Sequence, residues 1–207
     1  MLRLKNNLLG IRRNDILKIN SCEDFSKAMD TSAYMNREIL IDNITPQIAD
    51  TVDRYIRFWN DIDEEKEVLM QNREPIKILI NSLGGALTAA LTIMDSIKLS
   101  KTPVYTINIG TAYKEAFYIY LAGHKRYTYP RASFLLEKDL KQFVDESQSN
   151  NYISFCEKQN NELKDVILDK TKITEAEFNK HKNSWWLDAD EAYKLKVCNE
   201  ILRTHYY

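Results

Sequence analysis

Glycine and proline are scarce in this sequence: its 207 residues include only 5 Gly and 4 Pro, against an average combined share of roughly 12%. Disordered linkers and collagen-like repeats depend on these two residues and are therefore excluded as the main architecture. A sandwich built from many tight glycine turns is equally disfavoured. The hydrophobic share of 44% and the charged share of 29% are typical of a globular protein with a sizeable core.

Charge of one sign, long apolar runs and paired cysteines are also missing. The 29 Lys and Arg nearly balance the 30 Asp and Glu. The chain therefore lacks the excess of basic residues that is typical of nucleic-acid-binding proteins. The apolar runs are far shorter than a membrane span, and we expect neither a nucleic acid nor a membrane as a partner. The 3 Cys are scattered and the 3 His lack metal-ligand spacing, which predicts no metal, no cofactor and a reducing compartment.

The hydrophobic pattern predicts an α/β protein. Short β-rich runs at Ile76–Ile80 and Val104–Ile109 alternate with helical patterns, which favours βαβ units and a mainly parallel sheet. Apolar residues after Pro46 recur at helical spacing and predict a helix. The acidic run Asp61–Glu67 is predicted to be a solvated loop, and Ser147–Lys170 is predicted to be one long helix.

Residues 1–36 have weak periodicity and are predicted to form an N-terminal arm before a single domain over residues 37–207. Glycine is concentrated in one part of that domain, at positions 84, 85, 110 and 123. Because glycine weakens helices and strands, a chain with so few is expected to place them where the backbone needs them. The candidate functional region is therefore residues 76–137.

Five short segments in and beyond this region carry a recognisable order of motifs. They are Ile80–Ala89 (INSLGGALTA), Ile109–Ala112 (IGTA), Leu121–Gly123 (LAG), Tyr129–Ser133 (YPRAS) and Ala189–Ala192 (ADEA). In this order and at nearly these spacings they resemble the motifs of ClpP, the Clp protease proteolytic subunit. The likeness extends over most of the chain, from about Ile39 to Leu202.

This resemblance implies a fold and a set of partners. The fold is α/β, a ClpP/crotonase-type spiral of ββα units with a long handle helix, and the handle region spans about residues 138–182. The implied partners are other ClpP-like subunits in a seven-membered homo- or hetero-oligomeric ring, an AAA+ unfoldase, and unfolded protein substrate passing through the chamber. The implied location is the cytoplasm or an organellar stroma of the plastid type.

The family's Ser-His-Asp triad is not found at its expected positions. Carried over residue by residue, the serine position holds Lys114, the histidine position Glu137 and the aspartate position Ser184. The equivalents of the oxyanion-hole amides are Gly85 and Glu115. A triad needs a hydroxyl or thiol beside a base that titrates near neutral pH, and a lysine beside a glutamate supplies neither. We therefore predict no intact catalytic triad and a Lys114–Glu137 ion pair in its place.

These substitutions predict a non-catalytic subunit with a structural or regulatory role in the ring, similar to the ClpR-type subunits of plastids and cyanobacteria. Two alternatives retain chemistry on the same scaffold. One is a residual serine-type peptidase in which Lys114 activates Ser82 or Ser133. The other is crotonase-like acyl-thioester chemistry in which Glu115 and Glu137 act as acid and base, although the sequence has no recognisable CoA phosphate site.

Further departures from the family concern the backbone. Leu83 stands where the family has proline, and Lys196 stands where it has a glycine after the late helix, an unfavourable residue if the turn there is left-handed. The glycine-rich handle strand has no counterpart in Lys138–Glu146. The scaffold is therefore expected to be better preserved than the peptide-binding machinery.

Overall fold

A computed structural model of the chain describes Ala33 and residues 36–137, 150–181 and 184–203. Within these residues, strands and helices alternate as predicted for an α/β protein. In chain order the elements are β1 (Glu38–Ile41), α1 (Pro46–Glu65), a 3-10 turn (Met70–Asn72), β2 (Ile76–Ser82), α2 (Leu87–Leu99), β3 (Val104–Tyr113), α3 (Glu115–Ala122), β4 (Lys125–Thr128), β5 (Ser133–Glu137), α4 (Asn150–Lys170), α5 (Glu175–Lys180), β6 (Ser184–Asp188), α6 (Ala189–Lys194) and β7 (Glu200–Ile201). Most of the predicted arm and residues 138–149 of the predicted handle region lie outside the described residues.

The sheet is mainly parallel, as the alternation of elements predicts. Its strands lie in the order β1-β2-β3-β4-β7. β3 pairs with β4 through residues 105–108 and with β5 through residues 111–113. β3 therefore continues past Ile109, where the sequence predicted its end, because β5 supplies hydrogen-bond partners beyond Gly110. β5 also pairs with β6 in antiparallel register, and β6 was not predicted.

The main hydrophobic core lies between one face of the sheet and the helices. Ile76, Ile78 and Ile80 of β2 are fully buried and alternate with partly exposed residues, as expected for a strand with one face in the core. α3 is buried from Glu115 to Leu121, and a helix buried on nearly all sides lies inside the core. The residue that begins α3 is therefore positioned by a rigid element.

A second, smaller apolar cluster lies on strand residues that are separate from this core. Ile107, Tyr127 and Leu202 are buried there, and Leu79, Tyr105, Ile109 and Tyr129 pack against them. We call these seven residues the outer cluster. Among the described residues, its members belong to β2, β3 and β4 or directly follow β4 and β7.

The acidic segment predicted as a loop is instead largely helical, since α1 continues to Glu65. Asp63 within it is 2% exposed. Its carboxylate accepts two hydrogen bonds from the Arg37 guanidinium, at 2.8 and 2.7 Å, and one from Thr102 Oγ1 at 2.8 Å. The prediction was wrong because an acidic pattern does not reveal that one of its carboxylates has a buried cation as partner.

The helix termini follow their sequence signals closely. Thr174 with Glu177 and Asp188 with Glu191 both form capping boxes, at the Thr-x-x-Glu and Asp-x-x-Glu spacing that is typical of them. After α6 the chain turns through Lys196, which has a φ of 59°. The left-handed turn is therefore present although lysine occupies it.

Candidate functional site

The turn between β3 and α3 is sharp and strained. Lys114 at its tip has φ 54° and ψ −119°, a combination that residues other than glycine rarely adopt. Its N–H donates to the Leu135 carbonyl at 2.9 Å, and its own carbonyl accepts from the Phe117 N–H at 3.0 Å. The side chain is 46% exposed. This is the strand-to-helix geometry of a nucleophile elbow, with a lysine at the tip.

The ion pair predicted for this lysine is present. Lys114 Nζ lies 3.3 Å from Glu137 Oε2 at the end of β5. Glu137 in turn is the register partner of Ser184 in the β5–β6 ladder. The three positions assigned from the sequence therefore adjoin one another, although β6, which carries Ser184, was not predicted. Because both charged side chains are partly exposed, the pair contributes at most about 1 kcal/mol to stability.

The turn formed by Gly84 and Gly85 lies against the elbow. Gly84 has a φ of 112°, and a Cβ at this position would collide with Glu115 Oε2. The positive φ favours glycine at this position, and a Cβ would in addition displace the Glu115 carboxylate. The Gly85 N–H points to the same oxygen and donates a hydrogen bond to Glu115 Oε2 at 3.0 Å.

Glu115 thus contributes to the site through its side chain as well as its backbone. The sequence assigned its amide to the oxyanion-hole equivalents and considered its carboxylate only as an acid or base, whereas in the structure the carboxylate binds Gly85 and the residue is 8% exposed. The sequence signal was an acidic first residue in a helix, which is usually explained by the helix dipole alone. The direction of this side chain depends on the Gly84-Gly85 turn, which lies far away along the chain.

The other candidate nucleophiles have partners that do not activate them. Ser82 Oγ accepts from the Gly84 N–H at 3.2 Å, and Ser133 Oγ lies 2.8 Å from Tyr113 Oη. Within the described part of the chain neither hydroxyl is hydrogen-bonded to Lys114. Cys198 is buried and free, and burial raises the pKa of its thiol to about 11. A thiol in this state is inert.

The surface beside the ion pair is aromatic. Trp186 on β6 is 57% exposed, and its ring meets that of Tyr113 edge-on, with centroids 4.9 Å apart. Tyr118 and Tyr120 are buried in the core. The aromatic residues near the site therefore divide into buried packing residues and the Tyr113–Trp186 pair, of which Trp186 is exposed.

The described residues contain no group of three or more His, Cys, Asp or Glu placed to hold a metal ion. None of their helices combines the length and apolar character needed to cross a membrane.

The fold and the site define an α/β protein with an elbow turn facing a glycine turn. Comparison with known proteins agrees with this class: the model of the Clp protease family matches residues 23–205. The chain therefore belongs to the Clp protease family, and the resemblance found in the sequence is confirmed.

Individual relatives support the same assignment. ATP-dependent Clp protease proteolytic subunit 2 of Borreliella burgdorferi is 29% identical over 151 residues, which cover 69% of this chain and 76% of that protein. The protein of the same name in Treponema denticola is 25% identical over 190 residues, which cover 90% and 91%. The similarity to the Treponema denticola protein thus extends over nearly all of both chains.

Proposed function

We propose that this chain is a non-catalytic, ClpP-like subunit of an ATP-dependent Clp protease complex, with a structural or regulatory role in its ring. The observation that carries the proposal is the elbow itself, whose tip holds Lys114 in contact with Glu137. Lys114, Glu137 and Ser184 occupy, in our assignment, the positions of the family's Ser-His-Asp triad.

The chemistry of these three side chains opposes peptide hydrolysis. Lys114 is paired with a carboxylate, and an ammonium has no lone pair with which to attack a carbonyl carbon. Glu137 lacks an imidazole's ability to take up and return a proton near neutral pH. Ser184 carries no charge with which to orient and stabilise an imidazolium.

The two alternatives are each opposed by a contact. A Ser–Lys dyad needs a hydroxyl bound to Lys114, whereas Ser82 and Ser133 are hydrogen-bonded elsewhere. Acyl-thioester chemistry needs a free backbone donor for the substrate carbonyl, whereas the Gly85 amide is bound to Glu115. Calorimetry with an acyl-CoA tests the latter alternative, since clear binding would support it.

The outer cluster supports a role in assembly. Parallel sheets are almost always covered on both faces, and four of the seven outer-cluster residues remain partly exposed in the single chain, so that a neighbouring subunit could complete their burial. The partners that we propose are other ClpP-like subunits, in a homo- or hetero-oligomeric ring, together with an AAA+ unfoldase that delivers unfolded protein. A plastid-type stroma or the cytoplasm remains the proposed location.

A peptidase assay on the purified chain tests the proposal. We expect no cleavage of small fluorogenic peptides above the buffer rate, and the same result for Lys114→Ala and Glu137→Gln. An active ClpP, assayed in parallel, shows that the peptides and conditions permit cleavage. Robust cleavage by the chain alone that disappears in Lys114→Ala would contradict the proposal.

A further inference from the structure

We infer that the carboxylate of Glu115 acts as an internal plug that occupies a backbone anion-binding position at Gly85. The inference rests on the proposed function, because a plug at this position is a second reason why the subunit would not catalyse hydrolysis. It is carried by a hydrogen bond of 3.0 Å from the Gly85 N–H to Glu115 Oε2. The same oxygen lies so close to Gly84 that a Cβ there would displace it.

The position of this contact relative to the elbow indicates what it blocks. In elbow-type hydrolases the developing oxyanion binds two backbone N–H groups, one on the residue after the tip and one on a neighbouring loop. Here the residue after the tip is Glu115 and the neighbouring loop is the Gly84-Gly85 turn. Glu115 therefore brings its side chain back onto the loop amide that, with its own amide, would complete such a site.

The electrostatic surroundings of Glu115 are those of a bound anion. The residue is 8% exposed and, among the described residues, its carboxylate has no salt-bridge partner, because Lys114 pairs with Glu137. The carboxylate accepts a hydrogen bond from the Gly85 amide and lies at the N-terminus of α3, which Glu115 begins, a position that favours negative charge. The same groups would stabilise any small carboxylate or oxyanion in its place.

This arrangement has a consequence that does not depend on the triad. A negative charge developing at the Gly85 amide would meet a carboxylate already bound there, and like charges at this separation repel. A nucleophile introduced at Lys114 would therefore still lack transition-state stabilisation. The plug and the substituted triad are separate obstacles to hydrolysis.

The glycine-poor sequence allows the Gly85 amide to be observed alone. Gly84-Gly85 is the only Gly-Gly pair in the chain. Labelling with glycine that carries both ¹³C at its carbonyl and ¹⁵N therefore yields one HNCO correlation, from the Gly85 amide. The probe is acetate: sodium acetate replaces sodium chloride stepwise, at constant ionic strength and neutral pH.

We expect the Gly85 signal of the wild-type chain to be insensitive to acetate and that of Glu115→Ala to shift saturably. The affinity of the Gly85 amide for acetate should be about tenfold or more higher in Glu115→Ala than in the wild type, because acetate can accept this hydrogen bond only when the Glu115 carboxylate is absent. Glu137→Gln is the matched control, since it removes the other nearby carboxylate but not the plug. Its Gly85 signal should remain insensitive. Glu115→Ser is the second variant if the alanine variant does not fold.

Two results would overturn the inference. An equal acetate response in the wild type and Glu115→Ala would mean that Glu115 does not occupy the site. No response in a folded Glu115 variant would mean that the Gly85 amide is not an anion site. Both are distinct from failure of the proposed function, which is measured by peptide cleavage and does not depend on acetate binding.

Discussion

Lys114 holds a strained backbone conformation, with φ of 54°, in which glycine is favoured. Residues held in such regions cost about 1–3 kcal/mol and persist only where their surroundings fix them. Here the fixing contacts are the backbone hydrogen bonds to Leu135 and Phe117. The backbone conformation is thus built into the junction of β3 and α3, and it strains any residue that carries a Cβ at the tip.

Replacing the lysine by glycine should therefore stabilise the protein. We expect Lys114→Gly to raise the free energy of unfolding by about 1 kcal/mol, after allowance for the greater freedom of glycine in the unfolded chain. The ion pair lost with the lysine is partly exposed and offsets little of this gain. Urea unfolding checks the prediction, with Lys114→Ala as the control that loses the ion pair and keeps the strain. A glycine variant no more stable than the alanine variant would count against it.

The buried pair of Arg37 and Asp63 makes stability dependent on acid. The hydrogen bonds from Arg37 hold the pKa of Asp63 below its usual value. As pH falls, Asp63 is therefore protonated in the unfolded chain before it is protonated in the folded protein. Its contribution to the free energy of unfolding is complete above about pH 4. It is lost as pH falls through the lower pKa of the folded state.

Asp63→Asn tests this dependence. It leaves the Arg37 guanidinium buried without its counter-ion, and we expect a loss of about 3–5 kcal/mol at neutral pH. Below pH 4 the difference between variant and wild type should shrink. Glu64→Gln, one residue away and in an exposed pair with Lys101, should change stability little. A constant difference between Asp63→Asn and wild type at all pH values would contradict the assignment.

At the scale of elements, the end of α6 is held by a Schellman motif. The Val197 N–H donates to the Ala192 carbonyl at 2.8 Å, and the Lys196 N–H donates to the Tyr193 carbonyl at 3.1 Å. The buried guanidinium of Arg126 donates hydrogen bonds to the carbonyls of Val197 and Lys196. It also donates one to the carbonyl of Lys170 at the end of α4. One arginine thus joins two helix C-termini, where a cation is favoured.

This network explains why the left-handed turn persists at a lysine and predicts the effect of a glycine there. Lys196→Gly should raise the free energy of unfolding by about 1 kcal/mol, because the left-handed conformation is unfavourable for a residue with a Cβ. Lys196→Ala retains the Cβ and should give no such gain. Thermal unfolding of both variants distinguishes them, and equal melting temperatures would indicate that the turn is not strained.

At the scale of the whole molecule, the outer cluster is our candidate subunit contact, because it lies outside the main core and four of its seven residues are only partly buried. We expect native mass spectrometry of the tagged chain, isolated from its source, to find it in an oligomer that includes ClpP-like subunits. Leu79→Asp places a charge in the outer cluster and should reduce the assembled fraction severalfold. Leu69→Asp is the control, since Leu69 is 62% exposed and lies outside the cluster. Assembly unchanged by Leu79→Asp would exclude the outer cluster as an interface.

Much of this architecture could be predicted from local patterns. The alternation of strands and helices, both capping boxes and the glycine turn follow from residue spacing, because each depends on neighbours within a few positions. The family resemblance rests on motifs of the same kind. The prediction of the Lys114–Glu137 ion pair required the family resemblance, because the spacing of the two residues in the sequence does not indicate that they are close.

Contacts between distant segments could not be predicted in this way. The helical course of α1 through Asp63 depends on Arg37, and the extension of β3 depends on β5. The binding of Glu115 to the Gly85 amide depends on a turn that precedes it by a whole βα unit. By itself the sequence determined the α/β class and the family and predicted the loss of the triad side chains, because these are read from local order. Only the tertiary structure decided that Glu115 fills the neighbouring anion position, because burial and hydrogen-bond direction arise when separate segments meet.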